Sequence, residues 1–172
     1  MEELRALFVL DTDSGVLFWR ERPCDWFKTK RDCRAWNTRL AGKPAGTPDN
    51  KGYIQVKLKD GLYFAHRIVY AMASGGDPFP LQVDHINGAG ADNRPSNLRA
   101  VGGSVNRVNG RARGPWPKGV YRPRPGGKFV AQTKPPGGTT IYLGTFDSPG
   151  RAHQAYLEAV SELYGKGTYC RG

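Results

Sequence analysis

From Asn93 to Phe146 the sequence contains no aspartate or glutamate, although the whole chain of 172 residues has 15 of them. Other residues are scarce throughout: three cysteines, three histidines and two methionines. The cysteines, Cys24, Cys33 and Cys170, are odd in number and form no Cys-x-x-Cys pair. Neither a disulfide framework nor a four-cysteine zinc site is therefore expected. No apolar run is long enough to cross a bilayer, and the opening MEELRALFVLD lacks a signal-peptide pattern. These absences lead to the expectation of a reducing, cytoplasmic setting with no membrane partner. Hydrophobic residues make up 38% of the chain, which argues against one large core.

What is present is positive charge. Lysine and arginine number 26, for a formal net charge of +11. Such a field attracts polyanions, of which nucleic acid is the commonest for a basic protein; a ribosome-associated or membrane-surface protein is the plainer alternative. The acid-free window holds ten basic residues, with aromatics interleaved. A phosphate-facing surface is expected there, with Arg94, Arg99, Arg107, Arg111, Arg122 and Lys128 among its contacts. The 23 glycines and 13 prolines point to many turns and short elements.

The hydrophobic pattern predicts a short helix over 2–9 and a strand over 16–19, whereas 23–36 shows no clear period. Tyr53 to Lys59 alternates as a half-buried strand, Asp60-Gly61 is a hairpin turn, and 62–65 returns. A helix over 66–73 stops at Ser74-Gly75-Gly76, and strands over 81–85 and 97–101 flank a polar loop. A helix begins near Ser104. Past a linker at 110–117, three strand-like runs (118–122, 128–134 and 140–145) precede a helix with Ser148 as N-cap and Pro149 at its first position.

The chemistry is concentrated in Asp84-His85-Ile86-Asn87-Gly88, Asn93-Arg94-Pro95-Ser96-Asn97-Leu98-Arg99 and Asn106. Phosphodiester hydrolysis needs a base that works near neutral pH, and histidine is the side chain suited to it. It also needs positive charge on the phosphate, which a hard cation held by oxygen ligands supplies. Asp84 and Asn106 offer such oxygens, and His85 offers the base. Neighbours on a strand diverge, so a bend is expected between Asp84 and His85. The Asn97 amide could bridge backbone groups and hold the loop. Against this, Asp-His before Asn-Gly can be an ordinary turn, and Asn87, Asn93 and Asn109 are rival asparagines; Asn93 reads as a loop residue. His66 is expected to pack beside the site in a structural role, and His153 to lie on a helix surface.

The run from His66-Arg67-Ile68-Val69-Tyr70 through Asp84-His85, Asn93 to Arg99 and Asn106 resembles the phage and group-I-intron branch of the His-Asn-His (HNH) endonucleases, over about Gly42 to Arg111. The resemblance implies a ββα-metal fold. It implies Asp84 as metal ligand, His85 as general base, Asn97 as structural asparagine and Asn106 as second metal ligand, around one divalent cation. Magnesium is expected there, with manganese able to substitute, and no small-molecule cofactor.

Farther on, Lys118-Gly119-Val120-Tyr121, Lys128-Phe129-Val130-Ala131-Gln132, Tyr142-Leu143-Gly144-Thr145-Phe146 and Ala155-Tyr156 resemble the DNA-binding domain of plant ethylene-response factors, over about Trp116 to Tyr169. That likeness implies a three-stranded antiparallel sheet packed on one helix, with Lys118, Tyr121, Arg124, Gln132, Lys134 and Tyr142 on the DNA face. Tyr121, Gly126 and Thr140 depart from the plant pattern, so plant sequence preference does not carry over.

The whole reads as an α+β protein. An N-terminal extension spans 1–41, a nuclease domain 42–111, a linker 112–117 and a DNA-binding domain 118–172. The expected partner is double-stranded DNA, and a monomer is favoured. A DNA-binding regulator with a relic nuclease fold, or an RNA-binding protein, are the alternatives.

Overall fold

The computed structural model describes residues 2–110, 112 and 114–165. Helices and strands are mixed. The chain divides into two compact units, Met1–Val101 and Gly102–Gly172.

In the first unit, α1 (Glu2–Leu7) leads directly into a hairpin of β1 (Phe8–Asp11) and β2 (Val16–Trp19). The expected helix is thus shorter, because Phe8 enters the ladder opposite Trp19. The turn is closed by Asp11, whose carboxylate accepts from Ser14 Oγ and whose carbonyl accepts from Gly15 N. The unreadable stretch contains a 3-10 turn, Cys24–Trp26, and α2 (Lys30–Leu40), capped by Thr29 Oγ1 accepting from Asp32 N. Its inner face is narrow, with only Cys33 fully buried, so too few apolar positions recur to show a period.

A three-stranded sheet follows, β3 (Thr47–Pro48), β4 (Ile54–Lys57) and β5 (Leu62–Phe64), ordered with β4 in the middle. Next comes α3 (Ala65–Ser74), ended by Gly75 in the left-handed conformation. Finally β6 (Gln82–His85) and β7 (Leu98–Val101) pair antiparallel. One core joins these pieces: Phe8, Leu17 and Trp19 of the hairpin pack with Val56, Val69, Val83 and Leu98. Residues 2–41 therefore share the core of the segment after them.

The cysteine expectation is corrected here. Cys24 and Cys33 form a disulfide, with Cα atoms 5.2 Å apart. The 3-10 turn and the first turn of α2 bring together two residues whose spacing carries no recognised pairing motif. Cys170 lies outside the described residues.

The second unit starts with α4 (Gly103–Asn109), ahead of the expected linker. Val108 explains the earlier division, since it packs with Tyr156 and Val160. Strands β8 (Val120–Tyr121), β9 (Phe129–Thr133) and β10 (Ile141–Phe146) form an antiparallel sheet with β9 central. Against it lies α5 (Pro149–Tyr164), where Ser148 Oγ accepts from Arg151 N and Ala152 meets Phe129 and Ala131. Gly119 sits under the Tyr156 ring at φ +80°, and a Cβ there would collide with it. Among the described residues no helix is long and apolar enough to cross a membrane.

Candidate active site

His85 closes β6, opposite Leu98, and is only 3% exposed. Its Nε2 lies 2.9 Å from Asn93 Oδ1. With Nε2–H donating to that oxygen, the ring's lone pair is on Nδ1. Two aromatic neighbours hold the imidazole plane. His66 meets it edge-on with centroids 4.9 Å apart, and Tyr53 lies at 5.8 Å. Phe64 in turn stacks on His66. Gly90 completes this wall, because a Cβ there would press on the Tyr53 ring. The imidazole is thus enclosed.

Asp84, one residue earlier, has a different partner. It is 5% exposed, and Arg99, its register partner on β7, approaches Oδ2 with Nη2 at 3.2 Å and Nε at 3.3 Å. The pairing register runs without a shift through Asp84 and His85, so no bulge separates them. Arg99, expected as a phosphate contact, is turned inward onto this carboxylate.

The loop between the strands is held by Asn97. Its Nδ2 donates to Asn87 Oδ1 and to the Asp92 carbonyl, and its Oδ1 accepts from Asn87 N. The Asn97 carbonyl also accepts from Ile86 N. One buried amide therefore fixes both ends of a polar loop that has little apolar surface to fix itself. Arg94 braces the loop through Asp92 at 2.7 Å, and its guanidinium pulls the Asp92 carboxyl down to about 2.

Sequence reasoning read Asn93 as a loop residue, yet it is 4% exposed and lies beside His85. Its placement depends on a tertiary contact with the N-terminal hairpin, which no local sequence signal shows. Gly15 has φ +71°, and a Cβ there would run into the backbone of Asn93 and Arg94. The hairpin turn thus presses on the segment that carries Asn93. Tyr53 and Phe64 were read only as strand positions.

His66 stands in the first turn of α3, 8% exposed, and its Nδ1 has no hydrogen-bond partner. Burial, with smaller contributions from nearby His85 and Arg67, lowers its pKa to about 4. It stays neutral beside His85 at ordinary pH.

Asn106 lies half-buried on α4, in the second unit. No cluster of three or more histidine, cysteine, aspartate or glutamate side chains is present among the described residues. The Asp84 carboxylate offers oxygens of the kind a hard divalent ion takes.

The expected DNA contacts fall into two groups. Tyr121, Gln132 and Tyr142 are exposed, and the register pairs Gln132 with Tyr142 and Tyr121 with Val130. By strand alternation they share the sheet face away from the Phe129 and Ala131 that meet α5. Arg107, Arg124 and Lys134 are exposed as well. Others are engaged within the unit. Lys118 Nζ donates to the Arg107 and Gly110 carbonyls, and Arg122 Nε donates to the Gly127 carbonyl at 2.7 Å. Lys128 pairs with Asp147 at 3.2 Å. His153 Nδ1 lies 2.9 Å from the Lys118 carbonyl. Arg111 lies outside the described residues.

Residues 63–108 match the family model described as HNH endonuclease. The match supports a nuclease for this segment, although it covers only a short region of the chain. It takes in His66, Asp84, His85, Asn93, Asn97 and Asn106. No solved structure matches the chain.

Proposed function

We propose that this protein is a divalent-metal-dependent DNA endonuclease of the homing type found in phages and mobile elements, leaving 5′-phosphate and 3′-hydroxyl ends. The observation that carries the reading is the His85–Asn93 hydrogen bond inside the segment that matches the HNH endonuclease model. That bond fixes the plane of the ring, as a positioned general base requires.

The residues divide the work. His85 takes the proton from the attacking water. Asn93 fixes the ring's tautomer and angle, and Asn97 keeps the 87–92 loop in shape. Asp84 and Asn106 are assigned as the oxygen ligands of one magnesium ion, from their places in the matched segment. Bound there, the ion would supply positive charge to the scissile phosphate and the leaving 3′ oxygen. Arg99 steadies the Asp84 carboxylate. The ethylene-response-factor-like sheet reads duplex DNA through Tyr121, Gln132 and Tyr142, with Arg107, Arg124 and Lys134 on phosphates, and the protein acts as a monomer.

Supercoiled plasmid incubated with magnesium or manganese tests the reading. The wild type is expected to nick it and to stop on chelation. His85→Ala should be slower by roughly 10² to 10⁴, the usual contribution of a positioned base. Equal nicking by both preparations would remove the catalytic claim.

A further inference from the structure

The basic helix of the N-terminal extension has no part in the site described above. From Lys28 to Lys43 the sequence has six cations and one acid, Asp32. Within α2, Lys30, Arg31, Arg34 and Arg39 are all exposed. None of the four makes an ion pair among the described residues. At 100° per residue they share the outer side of the helix with Ala35 and Thr38, opposite Cys33, Trp36, Asn37 and Leu40.

This placement works against the helix itself. Lys30 and Arg31 occupy the first turn, where the positive end of the helix dipole disfavours cations. Lys30 and Arg34 are like charges four residues apart, which also repel. Asp32, the one acid, is already taken by Thr29 Oγ1 at 2.8 Å. The inner face holds the helix down in spite of this. Cys33 is bonded to Cys24, and Asn37 binds the Arg22 backbone through both its amide atoms. Trp36 lies under the Arg22 guanidinium, 3.9 Å from the ring centre, and edge-on to Trp19. Arg39, in the last turn, suits the helix dipole, but Lys30, Arg31 and Arg34 do not, and a rigid support under such a row of cations is a pattern that marks functional surfaces.

We propose that the outer face of α2 grips the sugar-phosphate backbone of duplex DNA. The proposal rests on the DNA-nuclease reading and adds a contact surface to it. Its chemistry is charge complementarity: a helix of about 16 Å lies along a polyanion carrying one charge per roughly 1.7 Å. The face offers no amide or aromatic ring for reading bases; Ala35 and Thr38 separate the cations, and Asp32 lies at its edge beside Arg39. It therefore adds affinity without sequence preference.

Binding can be measured free of cleavage by fluorescence anisotropy, with full-length His85→Ala protein and short labelled duplexes of different sequence over a potassium chloride series. Replacing Lys30, Arg31, Arg34 and Arg39 together by glutamine is expected to weaken binding roughly tenfold or more at about 0.1 M salt. The slope of log affinity against log salt should become shallower by about 3, from up to four phosphates at about 0.9 each. The loss should be equal for every duplex. The charge-keeping variant Arg31→Lys, Arg34→Lys, Arg39→Lys should retain the parent slope, and Arg34→Gln with Arg39→Gln, a milder change, should lose about half the effect. Melting curves by circular dichroism confirm that each variant is folded. A parent slope in the glutamine variants overturns the proposal, as does an α2-dependent preference for duplex RNA. If the parent protein binds no DNA at any salt, the nuclease reading falls and the α2 proposal falls with it; loss of the α2 effect alone leaves that reading standing.

Discussion

The polar loop beside β6 and the outer face of the β8–β9–β10 sheet solve opposite problems. In the first, Asp84, His85, Asn93 and Asn97 are all less than a tenth exposed and tied to named partners. On the second, Tyr121 and Tyr142 are 41% and 64% exposed. A catalytic centre gains from groups already fixed in place, because orientation need not be paid for during the reaction. A recognition surface gains from side chains that can still meet a partner. On the proposed nuclease reading the difference also sets a condition: an imidazole 3% exposed is reached by water only if the wall of Tyr53 and His66 around it opens.

The sharpest way to break this comparison is at Asn97. Asn97→Ala removes three side-chain hydrogen bonds and leaves the Asn87 amide and the Asp92 carbonyl without their partner. A loss of about 2 to 3 kcal/mol in stability is expected, within the range for unsatisfied buried polar groups, and is read from the urea midpoint. Nicking should fall roughly 100-fold under conditions where the variant is still folded, because the loop also carries Asn93. Unchanged nicking by folded Asn97→Ala would show that the loop's shape does not matter to the base.

Much of this architecture was legible beforehand. Tyr53 to Lys59, the helix near His66, the strands around the loop and the Ser148-Pro149 helix start all carry local signals: alternation, a 3.6-residue stripe, or a cap. What was hidden depends on tertiary contact. Gly15 reads as an ordinary turn glycine, yet it abuts the backbone of Asn93, nearly eighty positions away. Asn93 looks like one of several loop amides until His85 is seen beside it. Lys118 and Arg122 counted as free charges in the sequence, but their nitrogens satisfy backbone carbonyls, a use that charge patterning does not reveal. The pairing of Cys24 with Cys33 likewise depends on a turn and a helix start that have no periodic signature.

A smaller effect is expected on the open side of the comparison. Replacing Tyr121, Gln132 and Tyr142 together by alanine should lower the preference for the protein's own target over unrelated duplex by roughly tenfold. That corresponds to about 1.4 kcal/mol, within the 1 to 3 kcal/mol of a good base contact. Nonspecific nicking should persist, since His85 and its partners are untouched. Competition binding at fixed salt reads the ratio. If the triple variant keeps full preference, the sheet face is not the reader.

The smallest predicted effect concerns His66, which belongs to the closed region but has an unpartnered Nδ1. Its pKa is about 4 in the folded chain, against an ordinary 6.5, chiefly because burial penalises the charged ring. The unfolded chain therefore binds more protons between these values, so stability rises with pH across that window. This contribution is complete above about pH 6.5 and is lost progressively as pH falls toward 4. Between pH 7 and pH 6 the loss should be about 0.7 kcal/mol, measured by urea unfolding. His66→Phe, which keeps the aromatic contact with Phe64 but cannot titrate, should flatten that part of the profile. An equally steep profile in the variant would place the pH dependence elsewhere. A flattened profile with nicking retained would show that the second imidazole serves as an uncharged wall for the first, which a neutral aromatic ring can do as well.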